Sequence, residues 1–182
     1  MATFLALLRG INVGGNNPIK MADLRACMED LGARQVETVV QSGNAVFDLA
    51  PSKRGSFQRS MVKTIGERFA CEPRVLLLSA SELFATMDAN PYPEAVQAPK
   101  TLHLLFLEKR PGAPKREAIQ RLCAADESWS LLGRCFYLHA PRGIGRSKLA
   151  AGAEKCLGVS ATGRNWSTLT KLRVLMNRDS GE

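Results

Sequence analysis

Apolar and polar positions follow one another along the chain in blocks that predict short strands and helices. An apolar residue recurs every three or four positions between Met21 and Leu31, which predicts a helix that Gly32 ends. The elements predicted for the first half are a strand over Thr3–Leu8, a helix opening at Pro18 with Asn17 as its N-cap, a hairpin of Gln35–Gln41 and Asn44–Asp48, a helix over Ser56–Phe69 and a strand over Arg74–Leu78. Their order is β-α-β-β-α-β.

The second half repeats this order. Its predicted elements are a strand over Thr101–Leu107, a helix over Pro114–Ala124, a hairpin of Ser128–Leu132 and Cys135–His139 around Gly133-Arg134, a helix over Ser147–Leu157, a short strand over Val159–Ala161 and a last helix over Trp166–Asn177. The sequence therefore predicts an α+β fold with two ferredoxin-like β-α-β-β-α-β subdomains in tandem and an extra C-terminal helix. The expected internal duplication rests on element order, because the two halves share few residues.

The segment between the halves has its own signals. Ser79 and Glu82 form a capping-box pattern for a short helix that ends near Ala89. Three prolines then follow within residues 90–99, and they disfavour both helix and strand. We therefore expect an N-terminal subdomain with its linking helix over residues 1–89, a linker over 90–99 and a C-terminal subdomain over 100–182.

Composition is ordinary for a globular protein, but the charge is unevenly distributed. Hydrophobic residues make up 45% and charged residues 23% of the 182 positions, and the net charge is +8. The stretch Arg134–Arg178 contains nine bases and one acid, Glu154, whereas bases and acids cancel in the remainder. This excess indicates either an anionic partner or a well-solvated basic face.

Cysteine usage and hydropathy bear on the compartment. The five cysteines are scattered and form no CxxC pair, which argues against a disulfide framework and against a zinc site. We expect Cys27, Cys135 and Cys156 to be buried free thiols. The apolar run Phe4–Leu8 is too short for a signal peptide, and no run approaches the roughly 20 residues of a membrane helix. A cytoplasmic protein with no membrane association is expected.

The segment Arg9–Asn17 is the first candidate for ligand binding. Its glycines allow successive backbone N–H groups to face one concavity beside a helix N-terminus, an arrangement that suits phosphate or carboxylate. The candidate residues here are Arg9, Asn12, Gly14 and Gly15. The spacing is neither that of a P-loop nor GxGxxG, and a strand-to-helix turn capped by asparagines is the alternative.

The topology brings a second turn to the same place. In a ferredoxin-like sheet of order 4-1-3-2, the exit of the first strand and the turn of the hairpin lie at the same end. We therefore expect Ser42, Gly43 and Asn44 to lie beside the Arg9–Asn17 loop and to add to the site. Taken alone, this turn is explained by the hairpin.

Two further segments join strands to helices in the second half. Pro141–Lys148 contains three bases near a helix start, and Arg146, Ser147 and Lys148 are its candidate anion ligands. Thr162–Thr168 adds Arg164 and Asn165, although Asn165 is also explained as a helix N-cap.

Candidate catalytic groups are few. His103 and His139 are predicted near one end of adjacent strands, both on the more polar face. A paired acid/base site is conceivable there, but ordinary strand histidines are the favoured interpretation. The sequence contains no HExxH, no GxSxG and no metal-ligand spacing, so no cofactor or metal is predicted.

Five motifs in order resemble the uncharacterised bacterial DUF1697 family. They are Leu7-Leu8-Arg9-Gly10-Ile11-Asn12-Val13-Gly14-Gly15, Gln41-Ser42-Gly43-Asn44, Asn90-Pro91-Tyr92-Pro93, Gly143-Ile144-Gly145-Arg146-Ser147-Lys148 and Thr162-Gly163-Arg164-Asn165-Trp166-Ser167-Thr168. The resemblance covers nearly the whole chain and implies an α+β fold with two subdomains. It implies no activity.

The sequence therefore favours a protein that binds an anionic, phosphate-bearing ligand through Gly-rich loops at the junction of the subdomains. The ligand is either a small molecule or nucleic acid held through its backbone. An enzyme acting on a phosphorylated or carboxylated metabolite and a protein–protein adaptor are the alternatives. No feature of the sequence indicates an oligomeric state.

Overall fold

The structure is a computed structural model that describes residues 1–12, 19–39 and 43–177. The chain forms two compact units, one made of Met1–Ala85 with the chain from Leu172 onward and the other of Thr86–Lys171. In each unit, the four strands of one antiparallel sheet and the two helices that connect them follow the order β-α-β-β-α-β, which confirms the predicted fold class.

The first unit has the sheet order β2-β3-β1-β4. Its elements are β1 (Ala2–Arg9), α1 (Met21–Asp30), β2 (Arg34–Thr38), β3 (Asn44–Leu49), α2 (Arg54–Phe69) and β4 (Arg74–Ser79), followed by α3 (Ala80–Asp88). The helices cover the sheet face that carries Phe4, Leu8 and Phe47, and they contribute residues such as Met28 and Met61 to this core.

The second unit has the corresponding order β6-β7-β5-β8. Its elements are β5 (Leu102–Leu107), α4 (Arg116–Leu122), β6 (Ser128–Leu132), β7 (Cys135–His139), α5 (Lys148–Leu157) and β8 (Ala161–Asn165), followed by α6 (Trp166–Met176). Leu105 and Phe136 on the sheet pack with Ile119 of α4 and with Leu149 and Leu157 of α5. The hairpin of β6 and β7 has the predicted bounds.

Two neighbouring side chains define the start of α3. The backbone N–H of Ser79 donates to Oε2 of Glu82 over 2.7 Å, and the N–H of Glu82 donates to Oγ of Ser79 over 3.2 Å. These reciprocal bonds confirm the predicted capping box of α3.

Cys27, Cys135 and Cys156 are buried and free, as predicted.

The predicted start of α1 was wrong. The helix begins at Met21, and Lys20 before it has extended backbone angles of φ −66° and ψ 138°. The side chain of Asn12 accepts from the N–H of Ile19 over 2.7 Å and donates to its C=O over 2.9 Å. These bonds hold Ile19 before the helix, whose first hydrogen bond runs from the N–H of Leu24 to the carbonyl of Lys20 over 3.0 Å. Asn17 and Pro18 lie outside the described residues.

Elements elsewhere in the chain also differ from the prediction. The strand predicted at Val159–Ala161 lies at Ala161–Asn165, because these residues pair with β5 from Leu107 to His103. Short 3₁₀ helices occupy Pro51–Lys53 and Pro93–Gln97, where no helix was predicted; proline at the first position supplies the backbone angle that such a turn needs. Within the described residues, none of the helices combines the length and apolar character needed to cross a membrane.

Candidate functional site

A strongly charged hollow of the second unit lies at the N-terminal end of α5. It has a volume of about 390 Å³, and it is bounded by the end of α4 with the connection to β6 on one side and by the connection from β7 to α5 on the other. Both connections lie at the same end of the sheet, because β6 begins where β7 ends. We call it the α5 hollow. Its charged lining residues are Arg121, Asp126, Glu127, Arg142, Arg146 and Lys148.

Ser147 positions the helix that opens into the α5 hollow. Its side chain is only 7% exposed, and its Oγ accepts a hydrogen bond from the N–H of Ala150 over 2.9 Å. Ser147 is therefore the N-cap of α5. Gly143, with φ +88°, turns the chain before the cap. Lys148 follows as the first helical residue, so its ammonium group and the positive end of the helix dipole are neighbours.

An ion pair joins the two sides of the α5 hollow. The Arg142 guanidinium donates from Nε to Oδ2 of Asp126 over 2.7 Å and from Nη2 to Oδ1 over 2.6 Å. The hydrogen bond from Arg142 holds the pKa of the Asp126 carboxyl below its usual value, and that carboxyl raises the pKa of Arg142. Both groups thus remain charged and bound to one another at neutral pH.

The nucleophile candidate in the α5 hollow is held in an unreactive state. The Cys123 thiol contacts the backbone carbonyl oxygens of Glu127, over 3.4 Å, and Ala124, over 3.6 Å, as a weak donor. Burial, with smaller contributions from Glu127 and Asp126, raises the pKa of this thiol. Cys123 is therefore protonated at neutral pH, and thiolate chemistry is not favoured.

The two candidate anion ligands in Thr162–Thr168 do not contribute to a common site. Arg164 and Asn165 are consecutive in β8 and therefore point to opposite faces of the sheet. Arg164 donates to the carbonyl of Gly163 over 2.8 Å, and burial lowers the pKa of its guanidinium to about 10. Asn165 accepts from the N–H of Thr168 over 2.9 Å, which confirms the alternative interpretation of Asn165 as the N-cap of α6.

In the first unit, the hairpin turn lies against the end of β1. The N–H of Leu8 donates to the carbonyl of Gly43 over 2.7 Å. A Cβ atom added at Gly43 would lie 3.1 Å from Cδ1 of Ile11. As predicted, the hairpin turn lies close to the Arg9–Asn17 loop, because Gly43 is adjacent to Ile11. Gly14, Gly15 and Ser42 lie outside the described residues.

Both asparagines predicted at this place bind backbone groups. Asn12 has the left-handed φ of 53° and joins its amide to Ile19 as described above. Asn44 is fully buried, and its Nδ2 donates to the carbonyl of Val39 over 3.0 Å. These contacts assign Asn12 and Asn44 to the construction of the loop and the hairpin.

Arg9 lies on the exposed end of β1 and has a like-charged neighbour. Arg9 and Arg74 are directly opposite one another in the antiparallel pair of β1 and β4, and both are exposed. Like charges in such a position repel one another. A wide, open depression of about 940 Å³ near Arg74 also contains Lys63, Glu67 and Glu72, so its charges balance.

The register of β5 and β7 excludes the paired-histidine alternative and agrees with the favoured interpretation of ordinary strand histidines. His139 is the register partner of Leu102, whereas His103 is the partner of Leu138, so the two imidazoles point to opposite faces of the sheet. His103 is 7% exposed, and its Nε2 has no hydrogen-bond partner among residues 1–12, 19–39 and 43–177. Burial lowers the pKa of His103. Among the described residues, no cluster of His, Cys, Asp and Glu is suited to a metal ion.

Arg121, Asp126 and Glu127 line the α5 hollow and were not among the candidates from the sequence. The signal that identifies them is topological: in a β-α-β-β-α-β unit, the connection before the second strand and the connection after the third strand lie at the same end of the sheet. Applied to residues 123–127 and 140–147, this rule places the two segments together.

Comparison with known proteins identifies a family and a fold. A family model described as "Protein of unknown function (DUF1697)" matches residues 1–137. A solved structure described as that of the conserved bacterial protein SP0830 from Streptococcus pneumoniae has a TM-score of 0.66 and 23% identity, covering 97% of this chain and 99% of that chain. No curated protein matches. The structural likeness extends over both units, whereas Arg146 and Lys148 lie beyond the family match.

Proposed function

Since the chain belongs to the DUF1697 family, which has no established function, we propose from its own geometry that it binds a small phosphate-bearing anion in the α5 hollow. The observation that carries this proposal is the presence of Arg121, Arg146 and Lys148 around one hollow that also receives the N-terminus of a ten-residue helix. Guanidinium and ammonium groups are strong donors to phosphate oxygens, and the helix dipole adds to their attraction.

The environment of the α5 hollow favours binding over turnover. Its thiol, Cys123, has a raised pKa, and its hydroxyl, Ser147, is occupied as a helix cap. Neither group is therefore prepared as a nucleophile. The loop at Arg9 has less support as a ligand site, because Asn12 and Asn44 are committed to backbone contacts.

Isothermal titration of the full chain with inorganic phosphate and with phenyl phosphate tests this proposal. Arg146→Ala and Lys148→Ala should each weaken binding about ten- to a hundredfold, since a charge-assisted hydrogen bond contributes roughly 1.5–3 kcal/mol. Lys155→Ala is the matched control, because Lys155 is an exposed base in the last turn of the same helix. Binding should be unchanged in that variant.

Arg9→Ala distinguishes the α5 hollow from the loop of the first unit. Loss of phosphate binding in Arg9→Ala, with binding retained in Arg146→Ala and Lys148→Ala, would move the site to the first unit and overturn the proposal. Absence of binding by any of these anions to the wild-type chain would reject an anion-binding function altogether.

A further inference from the structure

The charges of the α5 hollow divide into a closed pair and an open set. Asp126 and Arg142 satisfy one another through two short hydrogen bonds and contribute no net charge. The open set consists of Arg121, Arg146 and Lys148 against Glu127. Three bases against one acid leave an excess of two positive charges for a ligand to neutralise.

Glu127 is fixed in the wall of the α5 hollow. Its carboxylate Oε2 accepts from the N–H of Ala124 over 3.0 Å, and its own N–H donates to the carbonyl of Ala124 over 3.0 Å. These two bonds close the turn between α4 and β6. The negative charge is therefore part of the site's construction, and it opposes the accumulation of further negative charge on a ligand.

The volume of the α5 hollow also indicates the class of ligand. Its volume of about 390 Å³ lies at the lower end of the roughly 300–1,000 Å³ typical of small-molecule sites. This space suits one phosphoryl group with a small organic substituent. A phosphomonoester carries a charge of about −1.5 to −2 at pH 7 and offers three acceptor oxygens, which matches three basic donors.

We infer that the α5 hollow selects a small phosphomonoester in its dianionic form, and that Glu127 sets this charge preference. This inference rests on the proposed function. A monoanionic carboxylate leaves one positive charge unmatched. A diphosphate brings excess negative charge against Glu127. A nucleic-acid strand carries its charge as a series of monoanionic diesters and offers no dianionic group.

A matched series of ligands measures the charge preference by isothermal titration at pH 8. Phenyl phosphate should bind at least tenfold tighter than benzoate, and pyrophosphate should bind no tighter than phenyl phosphate. Between pH 8 and pH 5, phenyl phosphate should lose affinity relative to sulfate, because the second phosphate pKa is about 6 whereas sulfate stays a dianion. Comparison at each pH cancels any titration of the protein itself.

Glu127→Gln tests the assigned residue. The glutamine retains a side-chain oxygen for the N–H of Ala124, so the turn should be preserved while the negative charge is removed. In this variant, pyrophosphate should gain about fivefold or more in affinity relative to phenyl phosphate. Glu117→Gln is the matched control, because Glu117 is an exposed acid in the first turn of α4, at the other end of that helix from the hollow; it should not produce the same change in preference.

The outcomes separate the inference from the function on which it rests. If benzoate binds as tightly as phenyl phosphate, if affinity rises steadily with ligand charge, or if Glu127→Gln leaves the preference unchanged, the dianion assignment is overturned while anion binding stands. If a single-stranded oligonucleotide binds tighter than phenyl phosphate and Arg146→Ala weakens it, a polymeric partner replaces the phosphomonoester. If no ligand binds the wild-type chain, the proposed function itself fails.

Discussion

Replacement of Gly43 by alanine tests the close contact between the hairpin turn and β1. Gly43 has φ +73°, and an added Cβ would lie 2.9 Å from Cβ of Leu8 and 3.1 Å from the Leu8 carbonyl oxygen. These atoms belong to or adjoin the backbone of a central strand, so they cannot move cheaply. The left-handed conformation costs roughly 1–2 kcal/mol for alanine, and overpacking adds roughly 1–3 kcal/mol. We expect Gly43→Ala to lower the free energy of unfolding by about 2–5 kcal/mol.

Gly133→Ala is the matched control. Gly133 occupies the turn of the corresponding hairpin in the second unit with φ +57°, but an added Cβ there meets nothing within 4 Å. This variant should show only the conformational cost of about 1–2 kcal/mol. The difference between the two variants therefore isolates the contact with Leu8.

Urea unfolding provides the measurement. The two tryptophans, Trp129 and Trp166, both belong to the second unit, so their fluorescence reports on Gly133→Ala but not directly on the first unit. Far-ultraviolet circular dichroism follows both units, and unchanged m-values would show that unfolding remains comparable. Equal losses of stability in the two variants would refute the described approach of Gly43 to β1.

Three other predictions follow from described contacts and charges. Burial lowers the pKa of His103 from its ordinary value of 6.5, so below pH 6.5 the unfolded chain takes up a proton that the folded chain does not. The free energy of unfolding should therefore fall as the pH drops below 6.5. His103→Asn should reduce this pH dependence in urea titrations at successive pH values. Ser147→Ala removes the cap of α5 and should cost about 1 kcal/mol in fluorescence-detected unfolding, whereas Ser147→Asp should retain most of the stability. If the basic stretch Arg134–Arg178 binds polyanions, heparin retention should fall steeply with added salt, and no retention at low salt would indicate a solvated face.

Local sequence signals determined which elements exist. The hairpin over Ser128–Leu132 and Cys135–His139 has its predicted bounds, because the turn residues and the apolar strands act over a few positions. The capping box at Ser79 and Glu82 is likewise a contact between near neighbours. From these elements, the order of strands in each sheet followed, because β-α-β-β-α-β connectivity restricts how a compact sheet can be arranged.

The tertiary structure alone decided which side chains meet. The register between β5 and β7 places His103 and His139 on opposite faces, and a shift of one residue would have reversed this result. Pairing with β5 moved β8 to Ala161–Asn165, because backbone hydrogen bonds across the sheet outweigh weak local propensity. Tertiary structure also brings Arg121 and Glu127 to Arg146, because the α5 hollow forms between segments that are distant along the chain. The energies that bring these segments together arise from packing rather than from the local pattern of residues.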